Sequence, residues 1–374
     1  MRIIIDQATP AASLLFGSLG EIQTIPGRAI TSEHCRAAQA VIVRSVTSVN
    51  RELLTGSTVQ FVGSATAGTD HIDRHWLQQQ DITFAHAPGC NATAVVEYVL
   101  TALLWLMVRE GCLLQEKTVG IIGVGHIGSL LNQRLQALGV TTLLCDPPRA
   151  ERGDTGPFWP LSHLVQHAEV LTFHLPLQRE GPHPTWHLLD EELLAALPDG
   201  RILINSARGA LFDSAALLTA LAGGKTCRVV LDVWEHEPAL SLPLLSRVTL
   251  ATPHIAGYTL EGRVNGAFAV YQALCRQLGG RPGVDRASLL PNAQQAVTLS
   301  GPWRSEQLKP LLDRIYRIER DDAALRAVAD QSGAFDQLRA AYPARRECSS
   351  LLLVCDQEQT AQQWQRLGFQ AVVR

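Results

Sequence analysis

The sequence predicts an α/β chain of two doubly wound parallel-sheet domains, followed by a small α+β domain at the C-terminus. Three observations carry that expectation. Short apolar, β-branched runs alternate with amphipathic ones along the first three quarters of the chain, the rhythm of βαβ units. One such run leads straight into a glycine-rich turn, Gly123-Val124-Gly125-His126-Ile127-Gly128, and then into a helical pattern. A linker-like stretch, Leu278-Gly279-Gly280-Arg281-Pro282-Gly283, sets off a tail of different character.

In the first domain, residues 2–5, 40–43, 59–62 and 82–85 read as strands, with helical or polar pieces at 33–39 and 73–80 between them. This half has no glycine fingerprint of its own. Ligand groups are expected on loops at the carboxyl ends of its strands, and two such loops stand out: Arg44-Ser45-Val46-Thr47 and the stretch 63–70.

Residues 92–111 read as a long apolar helix leading into the second domain. Residues 118–122 then form a buried strand, 129–138 a helix with Leu130, Leu131, Leu135 and Leu138 inward, and 141–145 a second strand ending at Asp146. Each glycine has a physical task. Gly123 permits the tight turn, Gly125 lets a pyrophosphate approach the backbone, and Gly128 allows close helix–strand packing. The helix N-terminus offers unpaired N–H groups and a positive dipole end to the diphosphate. Asp146, 18 residues after Gly128, can accept both ribose hydroxyls and would repel a 2′-phosphate, which favours NAD over NADP. A lone glycine motif says little, but strand, turn, helix, strand and terminal acid in register make a Rossmann-like domain the expectation. Strands at 169–173, 201–205, 227–232 and 248–251 and helices at 190–196 and 214–222 continue it, and a helix at 259–277 returns to the first domain. The expected divisions are 1–95 with 256–283 for substrate, 96–255 for NAD, and 284–374 as a third domain. In the third, a helix near 306–317 precedes a strand at 351–355, a helix at 360–366 and a strand at 370–373. Self-association is the role expected of it, against an inert extension.

Composition excludes several classes. At 46% hydrophobic, 18% charged and net charge −3, the chain carries no electrostatic footprint for nucleic acid or a membrane surface. Its three lysines, Lys117, Lys225 and Lys309, lie outside any catalytic motif, so anion recognition falls to arginine. Eight cysteines show neither a CxxC pair nor a metal-like spacing with histidine, which suits buried, reduced thiols in a cytoplasmic protein, and no metal is expected. The N-terminus lacks a signal-peptide pattern, and the apolar run 98–108 is too short to span a bilayer.

Three motifs at predicted strand ends carry chemistry: Asn205-Ser206-Ala207-Arg208-Gly209, Asp232-Val233-Trp234-Glu235-His236-Glu237-Pro238, and Thr252-Pro253-His254-Ile255-Ala256-Gly257-Tyr258. An arginine at such a place can pin a carboxylate by paired hydrogen bonds, although alone it would read as a surface ion pair. An alcohol gives up hydride only if a base takes its proton. Among twelve histidines, His254 gains its weight from position, with Glu237 able to hold the ring and stabilise its protonated form.

On these motifs the chain resembles the D-isomer-specific 2-hydroxyacid dehydrogenase superfamily over about residues 1–283. The stretches VRSVT at 43–47, FVGSATAGTDHID at 61–73, APGCNATAVVEYV at 87–99 and PHIAGYTLEGR at 253–263 are similar to its members that oxidise 4-phospho-D-erythronate in pyridoxine biosynthesis. The resemblance implies Arg208, Glu237 and His254 as catalytic residues, and Ser45, Thr66 and Tyr258 as substrate contacts. It places NAD on the glycine turn (Gly123, Gly125, His126, Ile127, Gly128) and on Asp146, Ser206, Ala207, Arg208, Asp232 and Gly257. The C-terminal domain is implied to form a homodimer. The irregular segment 181–185 leaves Leu175 and its neighbours outside the expected site. Ser45, Tyr258 and Arg44 remain equal candidates for the substrate phosphate, and Arg345-Arg346 reads either as a phosphate ligand lent to a partner subunit or as a solvated charge pair. Two other functions stay open: a dehydrogenase for another 2-hydroxy acid such as 3-phosphoglycerate, and a non-catalytic NAD(H)-sensing protein of the corepressor kind.

Overall fold

The computed structural model describes residues 1–292 and 295–374, and the chain divides into two compact units. The first comprises Met1–Ala92 and Tyr258–Asn292. Its strands are β1 (Arg2–Asp6), β2 (Glu21–Ile25), β3 (Ala40–Val43), β4 (Phe61–Ser64) and β5 (Thr83–His86), all parallel in the order β2-β1-β3-β4-β5. Because side chains alternate along a strand, the run Ile3-Ile4-Ile5 feeds two cores. Ile3 and Ile5 pack with Tyr271 and Leu274 of the helix Leu260–Gln277, whereas Ile4 packs on the other face with Val41 and Leu77. Gly63 lets that helix come close, since a Cβ there would lie 2.2 Å from Val270. β2 was not among the expected strands. It is an edge strand with four of its five residues at least partly exposed, so it lacks the apolar run that marks β1 and β3.

The second unit comprises Thr93–Gly257 and Ala293–Arg374. Strands β6 (Thr118–Ile122), β7 (Thr141–Cys145), β8 (Val170–Phe173), β9 (Ile202–Asn205), β10 (Arg228–Leu231) and β11 (Leu250–Ala251) form a parallel sheet ordered β11-β10-β9-β8-β6-β7. The helix after the glycine turn runs His126–Ala137, starting earlier than expected. Three further parallel strands, β12 (Gln295–Leu299), β13 (Leu351–Cys355) and β14 (Gln370–Val373), make a small sheet ordered β12-β13-β14 around Trp364.

The C-terminal segment, expected as a domain by itself, clusters with the second unit. Leu325 and Phe335 belong to the same core as Leu203, Trp234 and Leu244. Asp322 accepts the backbone N–H of Ala251 at 2.8 Å, so the β11 edge is not bare, and Arg326 donates to the carbonyls of Leu245 and Val248, just before that strand, at 2.6 and 2.9 Å. A second tie joins the segment to the unit: Glu97 in the apolar helix Ala92–Glu110 pairs with Arg134 at 3.2 Å and accepts the N–H of Cys348. That helix is long and apolar enough to cross a membrane by composition, but 72% of its most apolar window is buried within the protein.

Candidate active site

The glycine turn follows β6, next to β8, where the strand order of the second unit reverses and open α/β sheets bind ligands. Gly123 has φ +87°, and a Cβ on it would meet the carbonyl of His174 at 2.5 Å. Around Gly125 a Cβ would meet nothing within 4 Å, whereas on Gly128 it would lie 2.1 Å from the Gly123 carbonyl. Turn, open approach and tight helix contact thus fall where a dinucleotide needs them. His126 is exposed and Ile127 half-buried in the first helical turn. Asp146 accepts the N–H of Val124 on Oδ2 (2.8 Å) and that of Arg149 on Oδ1 (3.1 Å). A carboxylate has about four acceptor positions, so capacity remains for ribose hydroxyls. Two buried polar atoms without a hydrogen-bond partner, Ser206 Oγ and His174 Nδ1, lie at the ends of β9 and β8. Burial lowers the His174 pKa to about 3, which keeps the imidazole neutral. Sequence reading missed His174 because the glycine motif drew attention to β6, and only its place at a strand end signalled it.

The three chemistry-bearing motifs leave adjacent strands, β9, β10 and β11, at their carboxyl ends. Arg208 is half-buried on the first loop and donates from Nη1 to the Ala207 carbonyl. The next residue must be glycine, because a Cβ at 209 would come within 2.0 Å of the Trp234 backbone. Trp234 in turn donates its backbone N–H to Glu237 Oε1 (2.8 Å) and its ring N–H to the Thr252 carbonyl (3.1 Å). Glu237 Oε2 then meets His254 Nδ1 at 2.7 Å. Arginine loop, glutamate and histidine are therefore linked through one tryptophan. His254 adopts φ +56°, a left-handed conformation uncommon for a residue with a side chain. Burial works against the ionised Glu237, but the His254 charge and hydrogen bond, the Trp234 N–H and Arg339 outweigh it and hold the carboxyl below its ordinary value.

Asp232 is 1% exposed and organises the histidine loop: it accepts from Thr252 Oγ1 and Ile255 N on Oδ1 and from Ala256 N on Oδ2. From the C-terminal segment, Arg345 donates to the Ala256 carbonyl and lies over the Tyr316 ring, 4.4 Å from its centroid. The reading of Arg345 as a solvated charge or a ligand lent to a partner is corrected: the residue is 7% exposed and binds its own chain's histidine loop.

In the first unit, Ser45 is exposed at the end of β3, and Thr66 Oγ1 lies 2.8 Å from Ser64 Oγ and donates to the Gly68 carbonyl. Tyr258 is half-buried with Arg44 over its ring, 5.8 Å from the centroid. Gly257 closes one stretch of the second unit and Tyr258 opens one of the first. Among the described residues no cluster of three metal-ligating side chains occurs.

Fold and site together define an NAD-dependent dehydrogenase. A family model described as D-isomer specific 2-hydroxyacid dehydrogenase, NAD binding domain, matches residues 103–256, and one described as Domain of unknown function (DUF3410) matches residues 289–368. The erythronate-4-phosphate dehydrogenases of Yersinia enterocolitica and Serratia proteamaculans are each 57% identical over 370 residues, 99% of both chains. Among solved structures, the TT0316 protein of Thermus thermophilus is 26% identical with TM-score 0.64, covering 76% of this chain and 99% of its own. The NAD+-bound 3-phosphoglycerate dehydrogenase of Entamoeba histolytica shares the fold at 24% identity and TM-score 0.65, covering 75% of this chain and 95% of its own. The chain belongs to the erythronate-4-phosphate dehydrogenase family of the D-isomer-specific 2-hydroxyacid dehydrogenases.

Proposed function

We propose that the protein oxidises 4-phospho-D-erythronate at C2 with NAD, giving 3-hydroxy-2-oxo-4-phosphooxybutanoate in pyridoxine biosynthesis. The observation that carries this reading is the 2.7 Å His254–Glu237 pair, tied through Trp234 to the Arg208 loop. Relatives 57% identical along their whole length, named for that substrate, support it.

Bound NAD supplies the acceptor for the hydride that leaves C2. His254 takes the C2 hydroxyl proton on Nε2, since Glu237 occupies Nδ1 and fixes the tautomer. The ionised Glu237 balances the imidazolium that results. Arg208 grips the substrate carboxylate with paired N–H groups and stabilises partial negative charge on the forming C2 carbonyl oxygen. Ser45, Thr66 and Tyr258 hold the remaining substrate oxygens. Gly123, Gly125, His126, Ile127 and Gly128 hold the diphosphate, Asp146 the adenosine ribose, and Ser206, Ala207 and Gly257 the nicotinamide half. Asp232 keeps one acceptor position on Oδ2 after serving the histidine loop, which suits a carboxamide N–H.

The protein works as a cytoplasmic homodimer joined through the C-terminal segment, without nucleic-acid or membrane partners. Eight free cysteines, six of them buried, suit a reducing compartment. The test is NADH absorbance with 4-phosphoerythronate, 3-phosphoglycerate and unphosphorylated erythronate. Turnover is expected to favour the first, and preference for 3-phosphoglycerate or no turnover at all would overturn the reading.

A further inference from the structure

We infer that Arg44 and Arg263 together form the subsite for the substrate's phosphate, at the carboxyl end of the first unit's sheet. This rests on the reaction proposed above and ranks ligands that the sequence left equal. Arg44 follows β3, and Asp6 ends β1; between these two strands the order β2-β1-β3 reverses, which is where open α/β sheets receive ligands. Arg44 is only 8% exposed, yet its Nη1 is buried without a hydrogen-bond partner. Arg263, half-buried near the start of the helix Leu260–Gln277, has a buried Nε in the same condition. Burial and the Arg44 charge both lower the Arg263 pKa, so the two guanidiniums face each other's field.

Buried donors without acceptors are rare, and like charges held together in a folded protein are costly. A dianion supplying several acceptor oxygens resolves both conditions, and guanidinium forks suit phosphate geometry. Arg44 acts on the Asp6 carboxyl, whose pKa is raised by burial against the lowering effects of the Ala8 N–H and Arg44. Burial disfavours the charged form of that carboxyl, which weakens it as a counter-ion to the two guanidiniums. Tyr258, with Arg44 over its ring and its own field acting on Arg263, supplies a hydroxyl beside the pair. Ser45, adjacent to Arg44 and exposed, completes the rim.

The experiment compares wild type with Arg44→Gln, Arg263→Gln and the charge-keeping Arg263→Lys, each checked for native NADH affinity and melting temperature. Two quantities are read: the kcat/KM ratio for 4-phosphoerythronate over unphosphorylated erythronate, and calorimetric binding of inorganic phosphate. Loss of a charge-assisted contact should lower the ratio about 10- to 100-fold in each glutamine variant, with weakened phosphate binding and partial recovery in Arg263→Lys. Native-like variants that keep both the ratio and phosphate affinity would overturn the subsite while leaving the reaction intact. A wild type that binds inorganic phosphate through these arginines but turns over no phosphoerythronate would overturn the reaction and uphold the anion site.

Discussion

His254 Nδ1 lies 2.7 Å from Glu237 Oε2, and the same carboxylate accepts the Trp234 backbone N–H on its other oxygen. The imidazole is thus oriented by a group that is itself oriented. His254→Ala should lower kcat about 10²- to 10⁴-fold, the span of general-base contributions, with NADH affinity retained in fluorescence titration. Loss of both together would make His254 a structural residue.

Glu237→Gln keeps the shape of the pair and removes its charge. The acid limb of the kcat/KM profile should move to lower pH, because the imidazolium loses its counter-charge. There is a stability consequence too. The folded-state pKa of Glu237 is lowered, so the carboxylate stabilises the fold above the ordinary value of 4.5 and loses that effect as pH falls through its own value. Urea titrations at neutral and acid pH should show a smaller acid loss in the variant.

His174 titrates with the opposite consequence from a paired histidine. Burial lowers its pKa from 6.5 to about 3, so the unfolded chain binds a proton that the folded one refuses. Stability should decline from this source as pH drops below 6.5, by about 2 kcal/mol at pH 5. His174→Gln should flatten that slope in denaturant melts, and an unchanged slope would refute the assignment.

Arg345 reaches the histidine loop from a distant part of the chain through the Ala256 carbonyl. Arg345→Gln should reduce kcat about 10- to 100-fold, the scale of a small misplacement of reacting groups, with little change in NADH affinity. An unaltered kcat would show that Asp232 alone sets the loop.

Arg134 neutralises Glu97 inside the second unit and is closely approached by Gly368, whose added Cβ would lie 2.3 Å from an Arg134 nitrogen. Arg134→Met should destabilise the protein by about 3–5 kcal/mol, because the buried Glu97 carboxylate keeps the Cys348 N–H but loses its counter-charge. Thermal melts check this, and Arg134→Met with Glu97→Gln should recover part of the loss.

The placement of the motif residues at strand ends was legible in the sequence. Strand, glycine turn and Asp146 are local features, and the motifs bearing Arg208, Glu237 and His254 each end a strand whose apolar run is readable. The polar edge strand β2 was missed because periodicity carries little signal where only one flank is covered. The partners of Asp232, the burial of Arg345 and the neutral state of His174 depend on contacts between segments far apart in sequence, which spacing does not encode. The attachment of the C-terminal segment was hidden for the same reason: Asp322 and Arg326 sit on an amphipathic helix that looks solvated until β11 is placed against it.

The cover over β11 gives the tail a protective part to play. A chain shortened before residue 293 would strip Asp322 and Arg326 from the margin of the nucleotide sheet, baring backbone donors and acceptors to any neighbouring polypeptide and inviting precipitation. What looks like an appendage thus shields one margin of the nucleotide sheet.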